Sequence, residues 1–553
     1  MGVIWTEEQQ KVIRLKNRNI LVSAAAGSGK TAVLVERIIT MLTRAEDPVS
    51  VDELLIVPFT EAAAAEMKER IRQAIEQKLG EQPDNEHLKQ QATLIHNAQI
   101  TTIHSFCLGV IRDHFHAITL DPGFRVGEEG ELKLMQQDVL RKMLEEKYQE
   151  GDPEFLDFIS SYSGTRSDRR LEEWILKIYE FSRSYPDDSG WLLDCVQAYA
   201  AKTPEEFEQS GIAAKIRERV RQYLKDVRLL LKSALEVCLE PDGPAVYEET
   251  ICLDLQMVSE LEKAETWQEL QEKMAKLSFP RLAPNRKKEV DPGKADFVKN
   301  ARAGAKELLE DLKEQYFYQD MEEMLKDFQV CLPAVRELTG LASLFAQNYQ
   351  TEKQNQNLID FSDMEQYALQ ILTEKKDGIF VPSAIAGEYR QQYREIMIDE
   401  YQDSNLLQET ILTSVSRVSK GTFNIFMVGD VKQSIYRFRL SRPELFMEKF
   451  HTYDLKDSRT QRIDLHKNFR SRPEVLSSVN QLFRQIMAED LGGITYDDEA
   501  ALYPGASFPE SPDPETEVLV LEIPEKEEQE EARKMEARMI AGRIRRLLAE
   551  GKV

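Results

Sequence analysis

Asn19-Ile20-Leu21-Val22-Ser23-Ala24-Ala25-Ala26-Gly27-Ser28-Gly29-Lys30-Thr31 is a short apolar run, a turn of small residues, and the doorway to the amphipathic stretch Ala32–Met41. The apolar run reads as a buried parallel strand and the stretch after it as a helix. Between them, small residues let the backbone curl so that its N–H groups face phosphate oxygens. The helix N-terminus adds positive potential, Lys30 reaches the β- and γ-phosphates, and the Thr31 hydroxyl is placed to ligate Mg²⁺. Ala24 occupies the position where such loops usually carry their first glycine. Ser23, Ala24, Ala25, Ala26, Gly27, Ser28, Gly29, Lys30 and Thr31 are therefore the expected ATP-binding loop.

Working outward, Leu54-Leu55-Ile56-Val57 reads as a second parallel strand, and the alternation with helical patterns points to an α/β layer. From about Phe124 to Asn357 strand runs nearly vanish and Glu/Lys/Leu-rich helical patterns dominate, the mark of an all-helical insertion. The strand pattern resumes at Glu395-Ile396-Met397-Ile398-Asp399 and Phe423–Asp430, each run delivering an acidic residue at its C-terminal end, where open α/β sheets bind ligands. Asp399 is expected to hold Mg²⁺ and Glu400 to polarise the attacking water. Val518-Leu519-Val520-Leu521 reads as a further strand, and Ala537, Ile540, Ile544 and Leu547 as one face of a closing helix.

Composition narrows the class. The chain has 553 residues, 97 Asp+Glu against 72 Lys+Arg, and a formal net charge of −25. Such a balance opposes indiscriminate coating of nucleic acid and permits binding only where basic and backbone donors line a groove. No run approaches the ~20 apolar residues of a membrane helix, and the first residues carry no signal-peptide pattern. The five cysteines are far apart and form no C-x-x-C pair, which disfavours zinc and disulfide frameworks and makes a reducing cytoplasm the expected location. Asp360 and Asp363 read as a helix cap rather than a metal pair. The basic stretch Arg281–Lys288 reads as a solvated loop, with duplex DNA as the competing reading.

Four further motifs are specific. Val428–Arg439 (VGDVKQSIYRFR), Asn468-Phe469-Arg470-Ser471, Thr102-Ile103-His104-Ser105-Phe106 and Thr6-Glu7-Glu8-Gln9 closely resemble signatures of superfamily-one helicases of the UvrD/Rep type. With the phosphate loop and Asp399-Glu400, six motifs fall in that family's order over residues 5–473. Within the family, Trp5–Gln9, the triple-alanine loop, Phe59–Met67, Asp360–Met364 and Lys432–Arg439 are similar to the AddA branch. That branch comprises helicase/nuclease subunits of two-subunit AddAB complexes that process double-strand DNA ends for recombinational repair.

The resemblance implies an ATP- and Mg²⁺-dependent DNA motor of 3′→5′ polarity. Gln9 would read the adenine and Phe469 stack on it. Lys30, Glu400, Gln433 and Arg470 would be catalytic, Gln433 sensing the γ-phosphate and Arg470 stabilising charge on the transferring group. Phe59 and Phe438 would stack on bases, while Thr60, Thr102, His104 and Arg439 would contact the backbone of the strand. Partners would be single-stranded DNA, duplex ends and an AddB-type subunit, with no membrane. Ala32 departs from the Arg that relatives commonly carry there.

The implied architecture is a RecA-like parallel sheet at residues 1–123 and 358–470, interrupted by a helical insertion at 124–357. The start of a second RecA-like domain follows at 471–553, with ATP in the cleft between the two. The family pattern continues past Val553 into further helicase motifs and a nuclease domain, so the chain is expected to be an N-terminal fragment, poorly active alone. A stand-alone UvrD-type repair helicase and an ATP-inactive DNA-end-binding scaffold remain the alternatives.

Overall fold

The computed structural model describes residues 4–44, 46–162, 168–284, 290–488, 494–509, 516–524 and 529–550. These fall into two compact units, one of Met1–Ser23 with Val33–Ile463, the other of Ala24–Ala32 with Asp464–Val553.

The first unit is organised by β1 (Asn19–Ala24), β2 (Leu54–Val57), β3 (Gln99–Ile100), β4 (Arg125–Val126), β5 (Leu358–Ile359), β6 (Thr373–Lys376), β7 (Ile379–Pro382), β8 (Glu395–Ile398), β9 (Ile425–Gly429) and the start of β10 (Thr460–Leu465). Six of them form one sheet in the order β10-β1-β9-β8-β2-β3. β1 and β8 both pair in parallel with β9, and β2 pairs in parallel with β8 and β3. Every residue of β2, β8 and β9 is buried, which explains why these strands read as unbroken apolar runs rather than alternating ones. β6 and β7 form an antiparallel hairpin whose turn places Asp377 at φ 50° and Gly378 at φ 80°, the left-handed pair that a tight Asp-Gly hairpin requires.

β4 and β5 pair in parallel, so the two ends of the intervening segment meet. Between them the described elements are all helices. One apolar core there surrounds Phe207, Leu224, Val227, Trp267 and Leu309; another surrounds Phe155, Ile175, Phe345 and Tyr349. The 35-residue helix Met321–Asn355 runs back toward β5. At its end Lys353, fully buried, donates to Asp360 Oδ2 at 2.8 Å and Asp363 Oδ2 at 2.5 Å. Those two aspartates form the capping box of the Phe361–Leu372 helix, so their negative charge is met by an ammonium. Asn285–Lys288 of the basic stretch lies outside the described residues.

In the second unit β11 (Lys467–Asn468) pairs in parallel with β12 (Tyr503–Pro504), and the helix Pro473–Ile486 packs Leu476 against Ala25 and Leu502. The expected strand at Val518–Leu521 is not formed: these residues are irregular, with Val518 and Val520 77% and 86% exposed. A β-rich run becomes a strand only where an edge offers it a ladder of partners, and none among the described residues does so. Much of Glu510–Glu531 lies outside the described residues. The helix Gln529–Ala549 carries the expected periodicity and has no buried residue.

Candidate nucleotide and nucleic-acid site

Strand register gathers the acidic residues. Ser23 of β1 stands opposite Gly429 of β9, and Met427 of β9 stands opposite both Leu21 and Ile398. The strand that feeds the phosphate loop and the strands that lead into Asp399 and Asp430 therefore finish at the same sheet edge. Asp399 N–H donates to Val57 O at 3.0 Å, tying the turn to β2 as well. Glu400 follows in the left-handed region at φ 49° and ψ 46°, a conformation that is costly for a residue with a Cβ and that clusters at functional sites. The Glu400 N–H donates to Asp399 Oδ1 at 3.1 Å, so the Asp399 carboxylate is turned by the backbone of its neighbour.

Asp430 is 1% exposed. Its carboxylate accepts from Gln433 Nε2 at 2.8 Å, and Gln433 N–H donates to the Asp430 carbonyl at 2.8 Å. Gln433 is thus held twice by the end of β9. Gln9 is the third residue of the Glu7–Arg14 helix, 4% exposed, and its side-chain oxygen accepts from Thr6 N–H at 2.9 Å in a capping box. The local cap fixes where this amide points.

Beyond Gln433, Phe438 is exposed while Tyr436, like Phe59, is half-buried. Phe59 and Tyr436 have ring centroids 4.8 Å apart, and Tyr436 and Phe438 5.9 Å. The Arg439 guanidinium lies over Tyr436 and Phe438, 5.3 and 5.7 Å from their centroids. Phe438 is 75% exposed, so it is no core residue, while Tyr436 is half-buried; a guanidinium beside solvent-accessible rings has the composition of surfaces that stack on bases. Tyr436 lies within the Val428–Arg439 motif but has no role assigned from sequence; its ring contacts with Phe59 and Phe438 reveal one.

The expected backbone contacts divide. Thr60 and Thr102 are N-caps of the Glu61–Glu81 and Ile103–His114 helices, both starting at the strand-end side of β2 and β3. The Thr102 hydroxyl belongs to a residue only 7% exposed and donates to Glu61 Oε1 at 2.6 Å, as does Ser105 Oγ at 2.8 Å. These two bonds, Thr102 first, hold the Glu61 carboxyl below its ordinary value. His104 Nε2 lies 3.2 Å from Glu365 Oε1, which also accepts from Gln408 Nε2 at 2.7 Å, and its ring meets Phe361 edge-on at 5.3 Å. Phe59, His104, Phe361, Asp399, Glu400 and Arg439 share the wall of one cleft of about 350 Å³.

In the second unit the loop itself is shaped by two glycines, Gly27 at φ 71° and Gly29 at φ 82°, where side chains are strained. A Cβ on Gly27 would also lie 2.6 Å from Asn468 Nδ2. That Asn468 amide donates to Ala26 O at 2.6 Å, while its oxygen accepts from Arg470 N–H at 2.8 Å and Ser471 N–H at 2.7 Å. Phe469 N–H donates to Gly27 O at 2.9 Å. Asn468, unassigned from sequence, pins the loop to the segment bearing Phe469 and Arg470. Ala24 and Ala25 are buried, and Ala24 is not among the residues held at positive φ, so its backbone does not need the freedom of a glycine. Lys30 begins the Lys30–Leu42 helix, and Arg470 is exposed. The small-residue cradle at the head of a helix has the make-up that suits a phosphate group, and hydroxyl and carboxylate oxygens such as those of Thr31 and of Asp399 are, each by itself, of the kind a hard cation takes.

In this parallel sheet one strand, β1, leads into a glycine-containing loop, and β8, two strands away, leads into the acidic pair Asp399-Glu400, the layout of a phosphate-loop domain. The model of the UvrD/REP helicase N-terminal domain matches residues 5–454, and the chain belongs to that family. Similar curated proteins each bear the name of an ATP-dependent helicase/nuclease subunit, of the A type. That of Lachnoclostridium phytofermentans is 46% identical over 539 residues, covering 95% of this chain and 39% of the relative. Those of Bacillus licheniformis and Geobacillus kaustophilus are each 42% identical, covering 99% of this chain and 45% of the relative. The chain thus spans less than half the length of these relatives. Among the described residues no helix is long and apolar enough to cross a membrane.

Proposed function

We propose that this chain is the ATP-binding motor portion of a DNA helicase/nuclease subunit that processes double-strand ends, acting with an AddB-type partner and moving 3′→5′ on single-stranded DNA. The observation that supports the reading is the register of β1, β9 and β8, by which the strand feeding the phosphate loop and the strands leading into Asp399 and Asp430 finish at one edge, beside an aromatic row that ends at the exposed Phe438. Bound Mg²⁺ would neutralise charge between the terminal phosphates. Lys30 and the loop N–H groups bind the triphosphate, with Thr31 and Asp399 as the cation's oxygen ligands. Glu400 accepts a hydrogen bond from the attacking water, Gln433 senses the terminal phosphate, and Arg470 supplies positive charge to it. Gln9 and Phe469 hold the base. Phe59, Tyr436 and Phe438 stack on nucleotides regardless of sequence, and Thr60, Thr102, His104 and Arg439 line the path of the backbone. The domain division proposed is 1–123 with 358–470, a helical insertion at 124–357, and a second RecA-like domain beginning at 471. Cytoplasmic location follows from the same reading.

The test is ATP turnover by the intact natural protein with and without single-stranded DNA. Stimulation by DNA is expected, and Lys30→Ala is expected to lower turnover by at least ~100-fold through lost phosphate stabilisation. Turnover indifferent to DNA would overturn the motor reading, and turnover surviving Lys30→Ala would overturn the assigned loop.

A further inference from the structure

The Glu400 carboxylate and the Gln433 turn follow neighbouring strands, β8 and β9, and one buried side chain joins them. Gln402 is 1% exposed. Its Nε2 donates to Glu400 Oε2 at 2.9 Å and to Asp403 Oδ2 at 3.1 Å, while its Oε1 accepts from Asp430 N–H at 3.0 Å. Carboxylates only accept and a backbone N–H only donates, so these partners fix the orientation of the amide. The Asp430 carboxylate in turn holds Gln433 Nε2 at 2.8 Å and the Lys432 ammonium at 2.8 Å. An unbroken hydrogen-bonded path therefore runs from Glu400 through Gln402 and Asp430 to Gln433, and the aromatic row begins three residues later at Tyr436.

Gly429 supplies an independent observation. A Cβ there would overlap Gln402 Oε1 and lie 3.2 Å from both the Phe446 ring and Tyr401 N. The missing side chain at the end of β9 is the space in which the amide lies. Glu400, held in the left-handed region, needs such a fixed partner to keep one orientation.

We propose that Gln402 is a positioning residue that couples occupancy of the aromatic row by single-stranded DNA to the aim of Glu400. This rests on the motor reading above. A shift of residues 433–439 on the strand moves Asp430, and the single amide transmits that shift to the carboxylate that orients the attacking water. No residue other than an amide supplies both an acceptor for Asp430 N–H and donors for two carboxylates at this length.

The experiment compares wild type, Gln402→Ala, Gln402→Glu and Gly429→Ala in the intact natural protein. It measures kcat and KM for ATP with and without oligo-dT, together with the thermal midpoint. Gln402→Glu keeps the shape but sets a third carboxylate against Glu400 and Asp403. Gly429→Ala displaces the amide without deleting it. Coupling between sites commonly amounts to about 5- to 150-fold. Each variant is accordingly expected to lose about 10-fold or more of the DNA-stimulated kcat, with KM for ATP changed less than about 3-fold and the stimulation ratio falling toward one. A purely structural role would lower kcat with and without DNA alike and preserve the ratio. A stimulated wild type accompanied by equally stimulated folded variants overturns the relay alone. A wild type that DNA does not stimulate overturns the motor reading, and the relay's role with it.

Discussion

The edge where β1, β8 and β9 end buries Gln402 and Asp430, each placed by two or more directed hydrogen bonds. The helical segment between β4 and β5 instead buries Phe207, Val227, Trp267, Phe345 and Tyr349, placed mainly by shape. Hydrogen bonds specify direction but contribute little net free energy, because water competes for the same groups. Apolar burial contributes much and specifies direction loosely. Damage to the sheet edge should therefore appear first in turnover, and damage to the helical cores first in stability.

The largest effect expected is at Trp267. The residue is 1% exposed, its ring lies 4.8 Å from Phe317 and 5.3 Å from Phe207 between centroids, and its indole N–H has no hydrogen-bond partner among the described residues. It acts as a purely apolar wedge. Trp267→Ala should cost about 3–5 kcal/mol of unfolding free energy, read from denaturant midpoints, while ATP turnover at a temperature where the variant stays folded remains within about 3-fold of wild type. A variant that keeps its stability but loses turnover would reverse the contrast.

Phe438 sharpens the comparison from the other side. Being 75% exposed, it should change folding by no more than about 0.5 kcal/mol on conversion to Ala. Loss of one stacking platform is worth about 1–3 kcal/mol, so single-stranded DNA should bind roughly 10-fold more weakly. Titration of a labelled oligonucleotide measures this. Unchanged affinity would remove Phe438 from the DNA path and leave the row to Phe59 and Tyr436.

The same contrast explains what the sequence made legible. A strand buried on both faces, such as Ile425–Gly429, announces itself by four consecutive apolar residues, and the phosphate loop by a contiguous pattern whose parts act together. Asn468 stands in a recognisable motif, yet its role is not legible there, because its partner Ala26 is 442 positions away and no local signal encodes the meeting. Gln402 reads as one of four polar residues in Asp399–Asp403, and only the space left by Gly429 shows why an amide stands there. The edge strand Thr460–Leu465 also escapes a reading of sequence, since Thr-Gln-Arg-Ile-Asp-Leu alternates too weakly to be told from a loop. Val518–Leu521 fails in the opposite sense: its propensity is high, but strands are made by neighbours.

The smallest expected effect lies at Glu61, where a carboxylate links two strand-end helices rather than two catalytic turns. Hydrogen bonds from Thr102 and Ser105 depress its pKa below the ordinary 4.5, and its place in the first turn of the Glu61–Glu81 helix also favours the charged form. A depressed carboxyl stabilises the fold above its ordinary value, and that contribution drains away as pH falls through the lowered one. Because the side chain is largely exposed, solvent screening keeps the effect under about 1 kcal/mol. Glu61→Gln keeps an acceptor for both hydroxyls and removes the titration. Its stability deficit relative to wild type should therefore be small at pH 7 and shrink on acidification below 4.5. Denaturant midpoints at neutral and acid pH measure that gap. A deficit that stayed constant across the range would mean that the hydroxyls recognise the shape of residue 61 and not its charge, placing this corner with the shape-specified helical cores instead of with the directed network around Gln402.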